Sequence, residues 1–192
     1  MHLRLLARRI NETSARTLPL VRPEDIESET GSLVAENYSS LIVVEGDKSL
    51  SLACANDILI CQLRPYLAKV VLAEQDVHAS SELIVLRARE GVHPKWLHLL
   101  LLSQQMTSYA TRFSEGSKMP RTSWEKLADF EVANLPSLEA QKTFVSEVDS
   151  KLGGIRRSIQ LAKQLETSLI ESRRRILETG FAEILDGTTS HA

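Results

Sequence analysis

An α+β fold is what this sequence predicts: a mixed-sheet domain over residues 1–138, one long coiled-coil-type helix over 139–180, and a frayed tail over 181–192. Three observations predict it. Short runs rich in Val and Ile, bounded by turn formers, crowd the first half and read as strands. A proline-led apolar segment of helical spacing follows them. After about residue 138, Pro and Asn disappear and the apolar positions adopt a heptad spacing. At 192 residues the chain can build one core and carry one extended element, but not two ordinary domains with a linker.

The elements follow in order. Residues 41–46 (LIVVEG), 57–63 (DILICQL), 68–73 (AKVVLA) and 81–88 (SELIVLRA) are the predicted strands. Arg64-Pro65 separates two of them, and because proline removes a backbone donor and restricts the residue before it, a turn is predicted there. Pro94 then opens PKWLHLLLLSQQMTSYATRF. Trp96, Leu97, Leu100, Leu101 and Met106 predict one helix, with Pro94 in its first turn, that packs on the sheet. Trp96 and Trp124 neighbour leucines at helical spacing and are expected as core anchors.

In the long helix the seam runs Val148, Leu152, Ile155, Ile159, Ala162, Glu166, Leu169, Arg173, Ile176. Such a seam gives the helix one sticky face. Gly153 and Gly154 interrupt it, each costing about 1 kcal/mol against alanine, so a bend, a loosened turn or a tolerated cost is expected there. Gly180, preceded by Arg173, Arg174 and Arg175, is the expected stop.

Charge and chemistry narrow the function. A net charge of −2 excludes an indiscriminate, strongly basic nucleic-acid binder. Its distribution is uneven: Glu24, Asp25, Glu27, Glu29, Glu36, Glu45, Asp47 and Asp57 face only Arg22 and Lys48 over residues 22–57. Cations gather instead at Arg64/Lys69, Arg87/Arg89 and Arg112/Lys118/Arg121. Cys54 and Cys61 have no further cysteine nearby, so neither a disulfide framework nor a zinc site is suggested. The five histidines are scattered, with His93 and His98 five apart, and no metal set is completed. No cofactor is expected. The opening MHLRLLARRI lacks the uninterrupted apolar core of a secretory signal, no run reaches membrane-spanning length, and a cytoplasmic protein is expected.

Catalytic readings find little. The chain has no glycine-rich cofactor loop with an Asn/Asp-Pro-Pro-aromatic motif, and Asn134-Leu135-Pro136 is no substitute for one. Glu147, Asp149 and Lys151 have the letters of a nuclease cluster but sit where the heptads begin, as a solvated helical face does.

Three segments carry a resemblance. NDILICQLRPYLAKVVLA, residues 56–73, has an Asp-Ile-Leu opening, an Arg-Pro step and a lysine before the next strand. GSKMPR, residues 116–121, is a basic loop with a Pro-Arg step, and ANLPSLEAQ, residues 133–141, leads through proline and Glu-x-Gln into the helix. In this order they resemble the specificity subunit of type I restriction-modification systems, from about residue 50 onward. That family has two target recognition domains and two spacer helices per chain, whereas here there is one of each, so the resemblance implies a half-length form.

The resemblance implies a non-catalytic DNA-recognition subunit. It would direct a methyltransferase subunit, and a restriction subunit where one exists, to a bipartite site on double-stranded DNA. Arg64, Lys69, Arg112, Ser117, Lys118 and Arg121 are then the candidate DNA contacts. For Arg64 and Lys69 a solvated turn is an equally weighted reading. The helix implies pairing of two copies through Leu152, Ile155, Ile159, Ala162, Glu166, Leu169, Arg173 and Ile176. An antiparallel homodimer sets Glu166 against Arg173, whereas a parallel one sets like charges together. The rival reading is a coiled-coil adaptor whose globular part binds protein. Convergence of the basic clusters on one face discriminates the two.

Overall fold

The computed structural model describes residues 1–34 and 38–187, so Glu36 of the acidic stretch and residues 188–192 of the tail lie outside the described residues. The chain divides into two compact units, Met1–Val145 and the residues from Ser146 onward.

Among its described residues the first unit holds eight strands: β1 (Ala7–Ile10), β2 (Thr17–Val21), β3 (Val43–Glu45), β4 (Ser51–Ala53), β5 (Ile58–Cys61), β6 (Val70–Leu72), β7 (Val77–Ala79) and β8 (Leu83–Ala88). They form two sheets, ordered β1-β8-β5-β6 and β3-β2-β7-β4. Every pairing in the first sheet is antiparallel. The second sheet is mixed, because β2 runs parallel to β7 while its other pairings are antiparallel.

All four residues of β5 are buried. Alternation along a strand explains where each goes, since successive side chains take opposite faces. Ile58 and Ile60 join Val70, Ile84 and Leu86 in one core cluster, with Leu97, Leu101, Met106 and Leu127 from the helices. Leu59 and Cys61 join Val71, Leu83 and Val85 in the other, with Val21, Ala53, Val77 and Ala79 from the second sheet. The first sheet is therefore covered on both faces, which is why its sequence reads as continuous apolar runs.

Helices α1 (Pro94–Leu102), α2 (Gln104–Arg112) and α3 (Trp124–Leu127) complete the unit. The sequence predicts one helix over the first two, and the structure corrects this. Ser103 is extended, with ψ 148°, so it ends α1, and its hydroxyl accepts from the Met106 amide at 3.3 Å to cap α2. Trp96 is buried, and Trp124 is partly buried against the same cluster.

Helix α4 runs Leu138–Gly187. Ser137 caps it, its hydroxyl accepting from the Ala140 amide at 3.3 Å. Gln141, fully buried, takes the His93 amide on Oε1 at 2.7 Å and donates Nε2 to the carbonyls of Gly91 at 3.0 Å and Pro136 at 2.9 Å. One turn on, Val145 joins the core. That pair at i and i+4 fastens the start of the helix to the domain.

From Ser146 the described residues of the second unit are this helix. It continues unbroken through Gly153 and Gly154, so the two glycines are a tolerated cost, and a Cβ at either would meet no atom within 4 Å. It also continues through Gly180, where the sequence predicts its stop, to Gly187. Leu152, Ile155, Ile159, Leu169 and Ile176 of the expected seam are exposed, Leu169 by 70%. Leu161, Leu165, Ile170 and Leu177, which the heptad count leaves out, are exposed too and widen the apolar stripe.

Candidate nucleic-acid interface

The basic residues singled out in the sequence sit on a turn, a loop and a helix end that meet in the first unit. After β5, Arg64 and Ala68 bracket a one-turn 3-10 helix, Pro65–Leu67, and both hold left-handed backbone at φ 48° and 44°. Such a conformation costs a non-glycine residue on the order of 1–3 kcal/mol, so the surrounding bonds must enforce it. They do: the Arg64 amide donates to the Pro120 carbonyl at 2.7 Å, and the Ala68 amide to Pro65 at 3.0 Å.

Pro120 belongs to the basic loop. Glu115 and Arg121 close that loop by exchanging two backbone bonds, at 2.9 and 2.8 Å, and Leu63 bridges to Arg121 beside it. Gly116 opens the loop at φ 93°, and a Cβ there would press to 3.1 Å from the Met119 carbonyl, so the position needs glycine. Ser117, Lys118 and Met119 stand exposed on its tip. The backbone of Arg64 thus lies against the 116–121 loop.

The candidates differ in what holds them. Lys118 and Arg64 are exposed and form no ion pair among the described residues. Arg121 is tied to Glu82, 2.6 Å from Nη2 to the carboxylate. Lys69 is partly buried and donates its Nζ to the Pro23 carbonyl at 2.7 Å, towards the acidic stretch rather than the loop. Arg112, at the end of α2, stacks its guanidinium 5.5 Å from the Phe113 ring centre. It also lines a groove with Tyr66 and Ala68 of the turn.

Lys126 holds Glu115 at 2.6 Å and keeps its carboxyl below the usual range, so the base of the loop carries a balanced pair. Behind the surface, Asp57 is 1% exposed and takes a two-pronged contact from Arg87, 2.7 Å on each oxygen. The Arg87/Arg89 cluster is thus structural: Arg89 donates to the carbonyls of Arg4 and Ala7.

Sequence reasoning missed the groove itself. Its walls are Glu29, Tyr66, Gln104, Thr107, Ser108 and Arg112 among others. One signal was present: α2 reads QQMTSYATR, polar outward and without a single acid. Among the described residues no His, Cys, Asp and Glu group could hold a metal, and no helix is long and apolar enough to cross a membrane.

No family model matches the chain, and no curated protein matches it. Solved structures do. The crystal structure of the HsdS subunit from Thermoanaerobacter tengcongensis superposes with a TM-score of 0.68 at 20% identity, over 84% of this chain and 43% of that one. This chain has the HsdS fold. A second match, from a structure of complex assembly and conformational transition in the type I R-M system, gives a TM-score of 0.69 at 20% identity, with the same coverage of 84% and 43%. The chain therefore spans less than half the length of the HsdS-fold structures it matches. The resemblance read from residues 56–73, 116–121 and 133–141 is thus matched at the level of the fold.

Proposed function

We propose that this protein is a non-catalytic DNA sequence-recognition subunit of the type I restriction-modification kind. The first unit reads one half-site and two copies pair through α4 to read both. The observation that carries the reading is the joining of Arg64 to the 116–121 loop within an HsdS fold, with Lys118 and Arg64 free to meet phosphate. Phosphate contacts set register, and base contacts select sequence. An exposed apolar stripe on α4 supports pairing. Antiparallel pairing centred between Leu169 and Ile170 sets Glu166 against Arg173 twice, and the partner methyltransferase and restriction subunits would be held by the assembled dimer.

Fluorescence anisotropy with a labelled duplex tests this on the full chain. Binding should weaken steeply with added salt, and incubation with S-adenosylmethionine should transfer no methyl group. A chain that dimerises but leaves duplex DNA unbound at low salt is the adaptor of the rival reading. Methyl transfer above background by the chain alone would refute the subunit reading.

A further inference from the structure

A groove of about 570 Å³ lies between the exposed side of α2 and the turn at Pro65–Leu67. Its chemistry differs from that of the neighbouring basic loop. It offers the Glu29 carboxylate, the Tyr66 phenol, the Gln104 amide, the hydroxyls of Thr107 and Ser108, and the Arg112 guanidinium. One anion offsets one cation and there is no lysine, so the groove is poorly suited to a phosphate chain. Three of these groups match a base edge: an amide pairs with adenine N6 and N7, a guanidinium with guanine O6 and N7, and a carboxylate accepts from cytosine N4.

The backbone around the groove is held in an unusual state. Of the four described non-glycine residues with positive φ, Glu29 and Ala68 line it and Arg64 precedes its turn. The Glu29 amide donates to the Leu67 carbonyl at 3.2 Å, which fixes the two walls to each other. Tyr66 is held outward at 47% exposure by that turn. On α2, Gln104 Nε2 lies 3.3 Å from the Ser108 hydroxyl, one helical turn on, so the amide is pre-oriented and its Oε1 is left to accept. With its side chains an α-helix is about 10–12 Å across, and the major groove of B-DNA, about 12 Å wide, admits one.

Resting on the DNA-recognition reading above, we infer that this groove is the specificity-determining surface: Gln104, Arg112 and Glu29 contact base edges, with Tyr66 and Ser108 positioning them, while Arg64 and Lys118 hold the flanking phosphates. Sequence choice and affinity are then carried by separate residues. Replacing Gln104 alters which base is preferred; replacing Lys118 weakens every sequence alike.

The full chain, presented with duplexes carrying 20 randomised base pairs as about the length of two half-sites and a spacer, is the test. Retained duplexes are sequenced for the parent, Gln104→Ala, Gln104→Glu, Arg112→Ala and Lys118→Ala, with circular dichroism melts to show that each exposed substitution leaves the fold intact. Gln104→Ala should lose about five- to hundredfold of preference at one position per half-site, as expected for one two-pronged base contact, with an unchanged salt slope. Gln104→Glu should move that position towards cytosine, an effect no merely structural role produces. Lys118→Ala should keep the parent's sequence preference. A parent that selects a sequence, with groove variants that select the same one equally strongly, overturns the inference and leaves the DNA-recognition reading standing. A parent that selects none overturns both.

Discussion

Replacing Gln141 with leucine should unfasten the start of α4 from the domain. The side chain is fully buried and makes three hydrogen bonds, accepting from the His93 amide and donating to the carbonyls of Gly91 and Pro136. Leucine fills nearly the same volume but satisfies none of them. A buried group left unpaired costs about 1–3 kcal/mol; the low end applies here, because Gly91 and Pro136 are exposed and water can reach their carbonyls. Three such groups give about 3 kcal/mol, which for a domain of this size lowers the melting midpoint by about 6–12 °C. Thermal unfolding followed by the fluorescence of buried Trp96, three residues beyond His93, reads this directly. A fall of under about 2 °C, equivalent to less than about 1 kcal/mol, would refute the reasoning. Gln141→Glu adds a sign: its second oxygen would face two carbonyls until it is protonated, so its deficit should shrink as the pH falls.

Three further outcomes follow from the surface, the core and the helix. Arg64→Ala with Lys118→Ala should reduce the slope of log affinity against log salt by about two, close to 0.9 per lost phosphate contact, and Arg121→Ala should do less because Glu82 already holds that side chain. Burial lowers the His98 imidazole from 6.5 to about 4, so the unfolded chain takes up a proton first. That contribution is fully present above pH 6.5 and is lost as the pH falls towards 4, about 3 kcal/mol in all; chemical denaturation of His98→Leu should show this part of the slope removed. Leu169→Asp places a charge in the middle of the apolar stripe and should turn a dimer into a monomer by light scattering, with its thermal midpoint at high dilution unchanged.

Much of the fold was legible because burial writes itself into periodicity. The four predicted strands contain β3, β5, β6 and β8, whose residues are mostly Val, Ile and Leu in runs. The others carry no such mark. β1 exposes Arg8 and Arg9, β2 contains Pro19, and β4 and β7 are three residues each, with the His78 ring buried against the Arg16 carbonyl. The break at Ser103 was hidden because leucines continue up to it and Met106 resumes on the same face. The helix passes Gly180 because one glycine costs only about 1 kcal/mol against many good helix formers.

The candidate site was legible only in part. A basic loop shows itself by composition, and Arg64 was found through its proline. Which cations are free was not visible, since Glu82 meets Arg121 across 39 residues of sequence and Pro23 meets Lys69 across 46. The groove joins Glu29, Tyr66 and α2, three places whose proximity arises only from the tertiary fold.

The central claim is that two copies of this chain read one interrupted site together. Selection from a duplex pool randomised over about 30 base pairs, three helical turns, tests it most directly when the retained complexes are also weighed. The account predicts two copies of one short half-site in inverted orientation at a constant spacing, in complexes of two chains per duplex. A single undivided or asymmetric site bound by one chain would contradict it.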